Sequence, residues 1–193
     1  MFKRFSIFCL WITGWKTDVH FPQRVKKCII IVGPHTSAWD IVIGVLYRSA
    51  AGMSGTRFLG KQELFDGPFG FLFKWMGGTP VDRSSKQKLV DQVVEIFNSK
   101  QELRLALSPE GTRQKVSRLR TGFYHIARGA KVPIIMAGMD YKNKNLILST
   151  PFYPGCNEAI EQQKVILFFA AIKGKNAELG MKHLLIRDLS NSL

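Results

Sequence analysis

The run Cys28-Ile29-Ile30-Ile31-Val32 constrains the fold of this chain more than any other segment. It is apolar at odd and even positions alike, so a strand built from it must be covered on both faces. Leu103–Leu107 and Val132–Ala137 have the same character, and Arg57–Gly60 and Asn145–Leu148 read as shorter strands. Helical patterns lie between them at Ala38–Ala50, Pro68–Met76 and Gly122–Ala130. Ser84-x-x-Gln87 has the form of a capping box, and the helix it opens carries the stripe Leu89, Val90, Val93, Val94 and Phe97. Asn157 caps a further helix ending near Gly174, with a weaker one after it, and Gly77-Gly78 reads as a turn. Strands alternating with helices predict a single-domain α/β sandwich, with a mostly parallel central sheet flanked by helices.

The chain has 193 residues, 46% of them hydrophobic, which suits one domain with a sizeable core and excludes disorder. Its charge is less ordinary, with 28 Lys and Arg against 14 Asp and Glu for a net +14. That balance favours an anionic partner, whether nucleic acid, phospholipid headgroups or a phosphorylated substrate. Cys9, Cys28 and Cys156 are odd in number and far apart, so neither a zinc site nor a disulfide framework is expected, and a reducing, cytosolic setting fits.

Residues 1–20 form a segment distinct in character from the domain expected over 21–193. The apolar part, Ile7–Ile12, is far shorter than the ~20 residues that span a bilayer. Lys3 and Arg4 precede it as in a signal peptide, but Thr13-Gly14-Trp15-Lys16 offers no small-x-small cleavage site. At helical spacing Phe5, Phe8, Ile12 and Trp15 make one stripe flanked by Lys3, Arg4 and Lys16. Such a stripe fits a helix lying in a membrane interface and fits equally a first helix packed on the core.

Three turn-rich segments carry the polar chemistry: GPHTSAWD, GGTPVDR and SPEGTR. In open α/β sheets such loops meet at the carboxyl ends of the strands. In the first, Thr36 or Ser37 is placed to cap the following helix, and Asp40 can turn its carboxylate toward His35. A carboxylate on one ring nitrogen fixes the tautomer and makes the other nitrogen a better general base. In the third, a Pro-Glu-Gly turn precedes Arg113, whose guanidinium suits a phosphate. Arg83 stands at the entry of the capped helix, either near that phosphate or paired with Asp82. Lys61 follows the short strand FLG, where it serves a developing oxyanion or simply pairs with Glu63.

In order along the chain, HTSAWD, GKQEL, GGTPVDR, SPEGTR and VPIIMAG resemble the glycerolipid (lysophospholipid) acyltransferase family, with its His-x4-Asp block followed by Glu-Gly-Thr-Arg. The resemblance covers about Cys28 to Asp140. It implies transfer of a fatty acyl group from acyl-CoA or acyl carrier protein to a lysophospholipid hydroxyl, with a lysophosphatidic acid-like acceptor and no cofactor or metal beyond these substrates. It makes His35 the base and Asp40 its orienting acid. It assigns Glu110, Gly111, Thr112 and Arg113, with Arg83 and Lys61, to substrate binding. Val132-Pro133-Ile134 matches a block thought to line the acyl site. Pro34, where many members carry Asn, and the lack of long hydrophobic N-terminal spans point to a short branch of the family.

On this reading the protein works peripherally on the cytoplasmic side of the cell membrane, at an anionic surface, and binds no nucleic acid. The competing readings are a basic, non-catalytic protein binding nucleic acid or anionic membrane, and a thioesterase using the same His–Asp pair on water. The first leaves the separate Glu-Gly-Thr-Arg and His-x4-Asp blocks unexplained.

Overall fold

The computed structural model describes residues 2–53, 55–81 and 86–185, apart from the side chains of Lys61, Leu64 and residues 86–88. Six strands form one sheet: β1 Lys27–Gly33, β2 Thr56–Lys61, β3 Gly78–Val81, β4 Leu103–Leu107, β5 Ile134–Asp140 and β6 Asn145–Leu148. Their order is β3-β2-β4-β1-β5-β6, parallel throughout except for the antiparallel hairpin β5–β6. The helices are α1 Phe2–Ile12, α2 Trp39–Ala50, α3 Gln62–Asp66, α4 Gly70–Trp75, α5 Lys86–Ser99, α6 Gly122–Ala130 and α7 Glu158–Ala170. A mostly parallel sheet flanked by helices is the architecture that the apolar runs predict.

The two central strands divide their side chains between two cores with period two. Ile29 and Ile31 of β1, with Ile134 and Met136 of β5, face Phe97 of α5, Phe123 of α6 and Phe169 of α7. Cys28 and Ile30, with Ile135, Ala137 and Met139, face Leu10 of α1, Trp15, and Ile43 and Tyr47 of α2. The β1–β5 register sets Gly33 beside Gly138. A Cβ on Gly138 would lie 2.0 Å from Ile172 Cδ1, and one on Gly33 would lie 3.1 Å from Met181 Cε. These paired glycines let the chain after α7 close tightly over the carboxyl ends of both strands.

Some elements depart from the sequence expectation. Gly78–Val81 is an edge strand, hidden behind the turn-like Gly-Gly-Thr-Pro. Proline is tolerated there because an edge strand leaves one row of N–H groups unpaired. Asn157 does cap α7, its side chain accepting from the amides of Ala159 (3.0 Å) and Ile160 (3.3 Å). The helix stops at Ala170 rather than near Gly174, because the following backbone is committed elsewhere: the Lys173 carbonyl accepts from the Tyr141 amide at 2.9 Å. The capping box at Ser84 lies outside the described residues.

The N-terminal segment is helical and packs on the domain behind it. Ser6 and Leu10 are buried against α2, and Trp15 is in the core rather than on the outer stripe. Its ring meets Tyr47 and Tyr141 edge-on, at centroid distances of 5.9 and 4.9 Å. The exposed stripe is instead Phe2, Phe5, Phe8, Trp11 and Ile12. Truncating a fully buried leucine typically costs about 2–5 kcal/mol, whereas surface changes stay within about 0.5 kcal/mol. Leu10→Ala should therefore destabilise the domain by that larger amount in urea titration, while Trp11→Ala, at a position 69% exposed, should leave the midpoint nearly unmoved.

Candidate active site

β1 ends at Gly33, and the chain runs through Pro34 to His35 before α2 begins at Trp39. The sequence expectation has a Thr36 or Ser37 hydroxyl capping α2. Ser37 Oγ does accept from the Trp39 amide at 3.2 Å, but the loop is organised by Asp40. From the first turn of α2, Asp40 Oδ2 reaches back to accept from the amides of Thr36 (2.8 Å) and Ser37 (2.9 Å). A carboxylate is a stronger acceptor than a hydroxyl, and here it holds the loop from inside the helix. The Thr36 side chain turns away to accept from the Asn176 amide at 3.2 Å, and its carbonyl accepts from Asn176 Nδ2 at 2.8 Å.

The same Asp40 Oδ2 lies 3.0 Å from His35 Nδ1. The Tyr141 hydroxyl, one residue beyond β5, donates to Asp40 Oδ1 at 2.7 Å. Burial pushes the Asp40 carboxyl up, but hydrogen bonds from His35, Tyr141 and the Ser37 amide outweigh it and hold the group below its ordinary value. The imidazole is therefore anchored through Nδ1 to a carboxylate that stays ionised. Its Nε2 is the nitrogen left for a reacting group.

β4 neighbours β1, so the SPEGTR turn leaves the sheet beside the His35 loop. Glu110 is buried, with its carboxylate accepting from the His35 backbone amide at 2.5 Å. This geometry differs from the substrate contact expected of Glu110: the side chain is turned inward and braces the loop from below. Burial pushes its carboxyl up to about 7, against the lowering effect of the His35 amide. Gly111 adopts φ +65°, and a Cβ there would lie 2.4 Å from Arg120 Nε, so only glycine lets Arg120 lie across the turn. Thr112 Oγ1 accepts from the Gln114 amide at 3.3 Å, and Arg113 projects from the turn, exposed.

The structure thus brings together His35, Asp40 and Glu110, with Gly111, Thr112 and Arg113 on the adjoining turn. Lys61 ends β2, which pairs with β4 on the side away from β1, and its side chain is outside the described set. Arg83 also lies outside the described residues. Val132-Pro133-Ile134 is buried at the amino end of β5, ~20 Å along the strand from the His35 loop at ~3.3 Å per residue. Tyr141 escaped the sequence reading because no local spacing links it to Asp40, 101 residues earlier. The only signal was its place just past a buried strand, at the carboxyl edge where the other loops gather. Among the described residues no group of three His, Cys, Asp or Glu side chains is arranged to hold a metal ion.

Fold and site together put the chain in the α/β class, with its polar residues gathered at the carboxyl edge of a parallel sheet. A family model described as Acyltransferase matches residues 16–140, and the chain belongs to that acyltransferase family. It is 29% identical over 132 residues to a 1-acyl-sn-glycerol-3-phosphate acyltransferase of Cocos nucifera, a match covering 65% of this chain and 42% of that protein. The match therefore spans about two-fifths of the length of that curated relative. The fold is similar to the crystal structure of the 1-acyl-sn-glycerophosphate (LPA) acyltransferase PlsC from Thermotoga maritima, with a TM-score of 0.57 at 13% identity. That likeness covers 86% of this chain and 75% of that one.

Glu110 yields a test with a definite sign. Its folded value of about 7 lies above the ordinary 4.5, so between these pH values the native state holds a proton that the unfolded chain has released. Stability should fall as pH rises through this window, by an amount on the order of 3 kcal/mol, and level off above it. Asp40, held below its ordinary value, acts in the opposite sense and only at lower pH. Urea unfolding between pH 5 and 8 should show this decline in the native chain and a nearly flat profile in Glu110→Gln.

Proposed function

We propose that this chain transfers a fatty acyl group from a thioester donor, acyl-CoA or acyl carrier protein, to the hydroxyl of a lysophosphatidic acid-like lysophospholipid. The observation that carries this reading is the 3.0 Å contact of His35 Nδ1 with an Asp40 carboxylate held by three further donors, with an exposed Arg113 on the turn whose Glu110 bonds the His35 amide. With Nδ1–H donating to Asp40, His35 Nε2 accepts the proton of the acceptor hydroxyl as that oxygen attacks the thioester carbonyl. The tetrahedral adduct then collapses, the carbon–sulfur bond breaks, and the imidazolium returns its proton to the departing thiolate. No covalent enzyme intermediate is needed. Arg113, with Arg83, holds the acceptor phosphate, and backbone amides or Lys61 face the developing oxyanion. Glu110 supports the reaction through the His35 backbone rather than by touching substrate.

Both substrates are amphiphiles, and the reading places the protein on a membrane surface. Among the described residues no helix is long and apolar enough to cross a membrane. The support for peripheral docking is the apolar face shared by α1 and α4. Phe5, Phe8, Trp11 and Ile12 of α1 and Phe71 and Trp75 of α4 are all exposed, and the Phe2 and Trp75 rings meet edge-on at 5.8 Å. Lys3, Arg4 and Lys74 flank it. Burying such area at about 25 cal/mol per Å², with about 1 kcal/mol per cation near anionic lipid, suffices for reversible attachment.

With palmitoyl-CoA and 1-oleoyl lysophosphatidic acid, His35→Ala should lose about 10²–10⁴-fold in kcat while remaining folded, and wild-type turnover would sink the mechanism. Arg113→Ala should raise the acceptor KM at least about tenfold with little change in the donor KM, since a charge-assisted phosphate contact is worth roughly 1.5–3 kcal/mol. Thioester hydrolysis that proceeds equally well without acceptor would favour a hydrolase.

The paired change Trp11→Ser and Phe71→Ser removes apolar side chains that already face solvent, so folding should survive. It should weaken flotation with phosphatidylglycerol vesicles and slow acylation of vesicle-embedded acceptor. Activity on dispersed short-chain lysolipid should persist.

A further inference from the structure

Three of the donors to Asp40 belong to its own loop: His35 Nδ1 and the amides of Thr36 and Ser37. The fourth, the Tyr141 hydroxyl, arrives from the end of β5. All three loop donors converge on Oδ2, and Tyr141 alone is recorded on Oδ1. The phenol thus supplies the donor to the second carboxylate oxygen, and it restrains the carboxylate from a part of the chain outside the His35 loop.

We propose that Tyr141 is a positioning residue for the His35–Asp40 pair, and that Trp15 holds it there, so that the segment following α1 is part of the catalytic architecture. This inference rests on the reading of His35 as the base. Tyr141 is fixed at its backbone, where the amide donates to the Lys173 carbonyl at 2.9 Å. Its ring is met edge-on by Trp15, with centroids 4.9 Å apart and planes at 84°. Trp15 is itself seated against Tyr47, and its amide donates to the Leu10 carbonyl at 2.8 Å. The next residue closes the arrangement: the Lys16 amide donates to the Lys144 carbonyl at 2.9 Å, and the Tyr47 hydroxyl donates to the Lys16 carbonyl at 2.5 Å. A path of two aromatic rings therefore joins the helix bearing the exposed apolar face to the carboxylate that orients the base.

The titratable groups that face Asp40 are His35 from its own loop and Tyr141 just past β5, while Glu110 from the turn after β4 interacts with both Asp40 and His35 through its charge. Burial, and then the neighbouring Asp40, push the Tyr141 hydroxyl far above its ordinary range, so it remains a donor throughout the working range of pH. Removing that donor leaves the Asp40 charge less compensated, and the pair then takes up its proton at higher pH. Glu110 is common to native and variant chains and makes no recorded bond to Tyr141, so the difference between them reports the tyrosine.

The test compares the native chain with Tyr141→Phe, and with 3-fluorotyrosine placed at position 141, on palmitoyl-CoA and 1-oleoyl lysophosphatidic acid. Tyr141→Phe should lower kcat about three- to tenfold, the worth of one hydrogen bond, with both KM values within about twofold. The acid limb of its kcat/KM profile should move to higher pH, and the low-field proton resonance of His35 Nδ1–H should shift further downfield. 3-Fluorotyrosine, a stronger donor, should move limb and resonance the opposite way; it keeps the hydroxyl and every native heavy atom and serves alone should Tyr141→Phe not fold. Trp15→Phe should give the Tyr141→Phe changes with smaller size.

Superimposable profiles and an unmoved resonance in the tyrosine variants would overturn the role of Tyr141, and a silent Trp15→Phe would overturn the support from Trp15. Neither result touches the loss expected of His35→Ala. Conversely, wild-type turnover by His35→Ala would remove the base itself, while the Nδ1–H resonance would still report the Tyr141 contact.

Discussion

A buried carboxylate is tolerated only when its oxygens find donors, and Asp40 finds four, from His35, Thr36, Ser37 and Tyr141. Much of the site depends on this arrangement. It closes the loop after β1, fixes which imidazole nitrogen is engaged by the carboxylate, and ties the end of β5 to the start of α2. It also requires β1 and β5 to be parallel neighbours ending at one edge of the sheet, with Gly33 paired to Gly138. The sheet order is thus part of the site and not merely a scaffold beneath it.

Two buried carboxyls stand on either side of His35 and are pushed in opposite directions. Asp40 is held below its ordinary value and Glu110 is raised to about 7, although burial acts upward on both. The difference lies in their donors: Asp40 collects two loop amides, an imidazole and a phenol, whereas the recorded donor to Glu110 is the single His35 amide. Paired groups whose environments drive their affinities for protons apart are a recurring device for giving like residues unlike tasks. Here one carboxylate stays charged to orient a ring, and the other braces the backbone that carries it.

The first helix serves two surfaces at once. Ser6, Leu10 and the following Trp15 turn inward to the core shared with α2, while Phe5, Phe8, Trp11 and Ile12 face outward. The segment therefore both completes the fold and offers the apolar face proposed to meet lipid. Through Trp15 its inward side touches Tyr47 and Tyr141, and Tyr141 in turn bonds Asp40.

The sequence by itself determined the α/β class, because runs such as CIIIV and VPIIMA admit burial only between two layers of helices. It also brought His35 and Asp40 within reach of each other, since five residues of separation across a helix start allow the contact, and the resemblance of the surrounding blocks singled the pair out. It did not reveal that Gly78–Val81 is a strand, that α7 ends at Ala170, or that Trp15 turns inward. Those outcomes depend on neighbours far along the chain: β2 beside Pro80, Tyr141 against the Lys173 carbonyl, and Tyr47 under the indole. Glu110 and Tyr141 belong with them. Nothing in a span of a few residues places a carboxylate under the His35 amide, 75 positions away, or a phenol against Asp40, 101 positions away. Spacing along the chain encodes only contacts within a turn or two, and contacts between the ends of different strands exist only once the sheet has set their order and register.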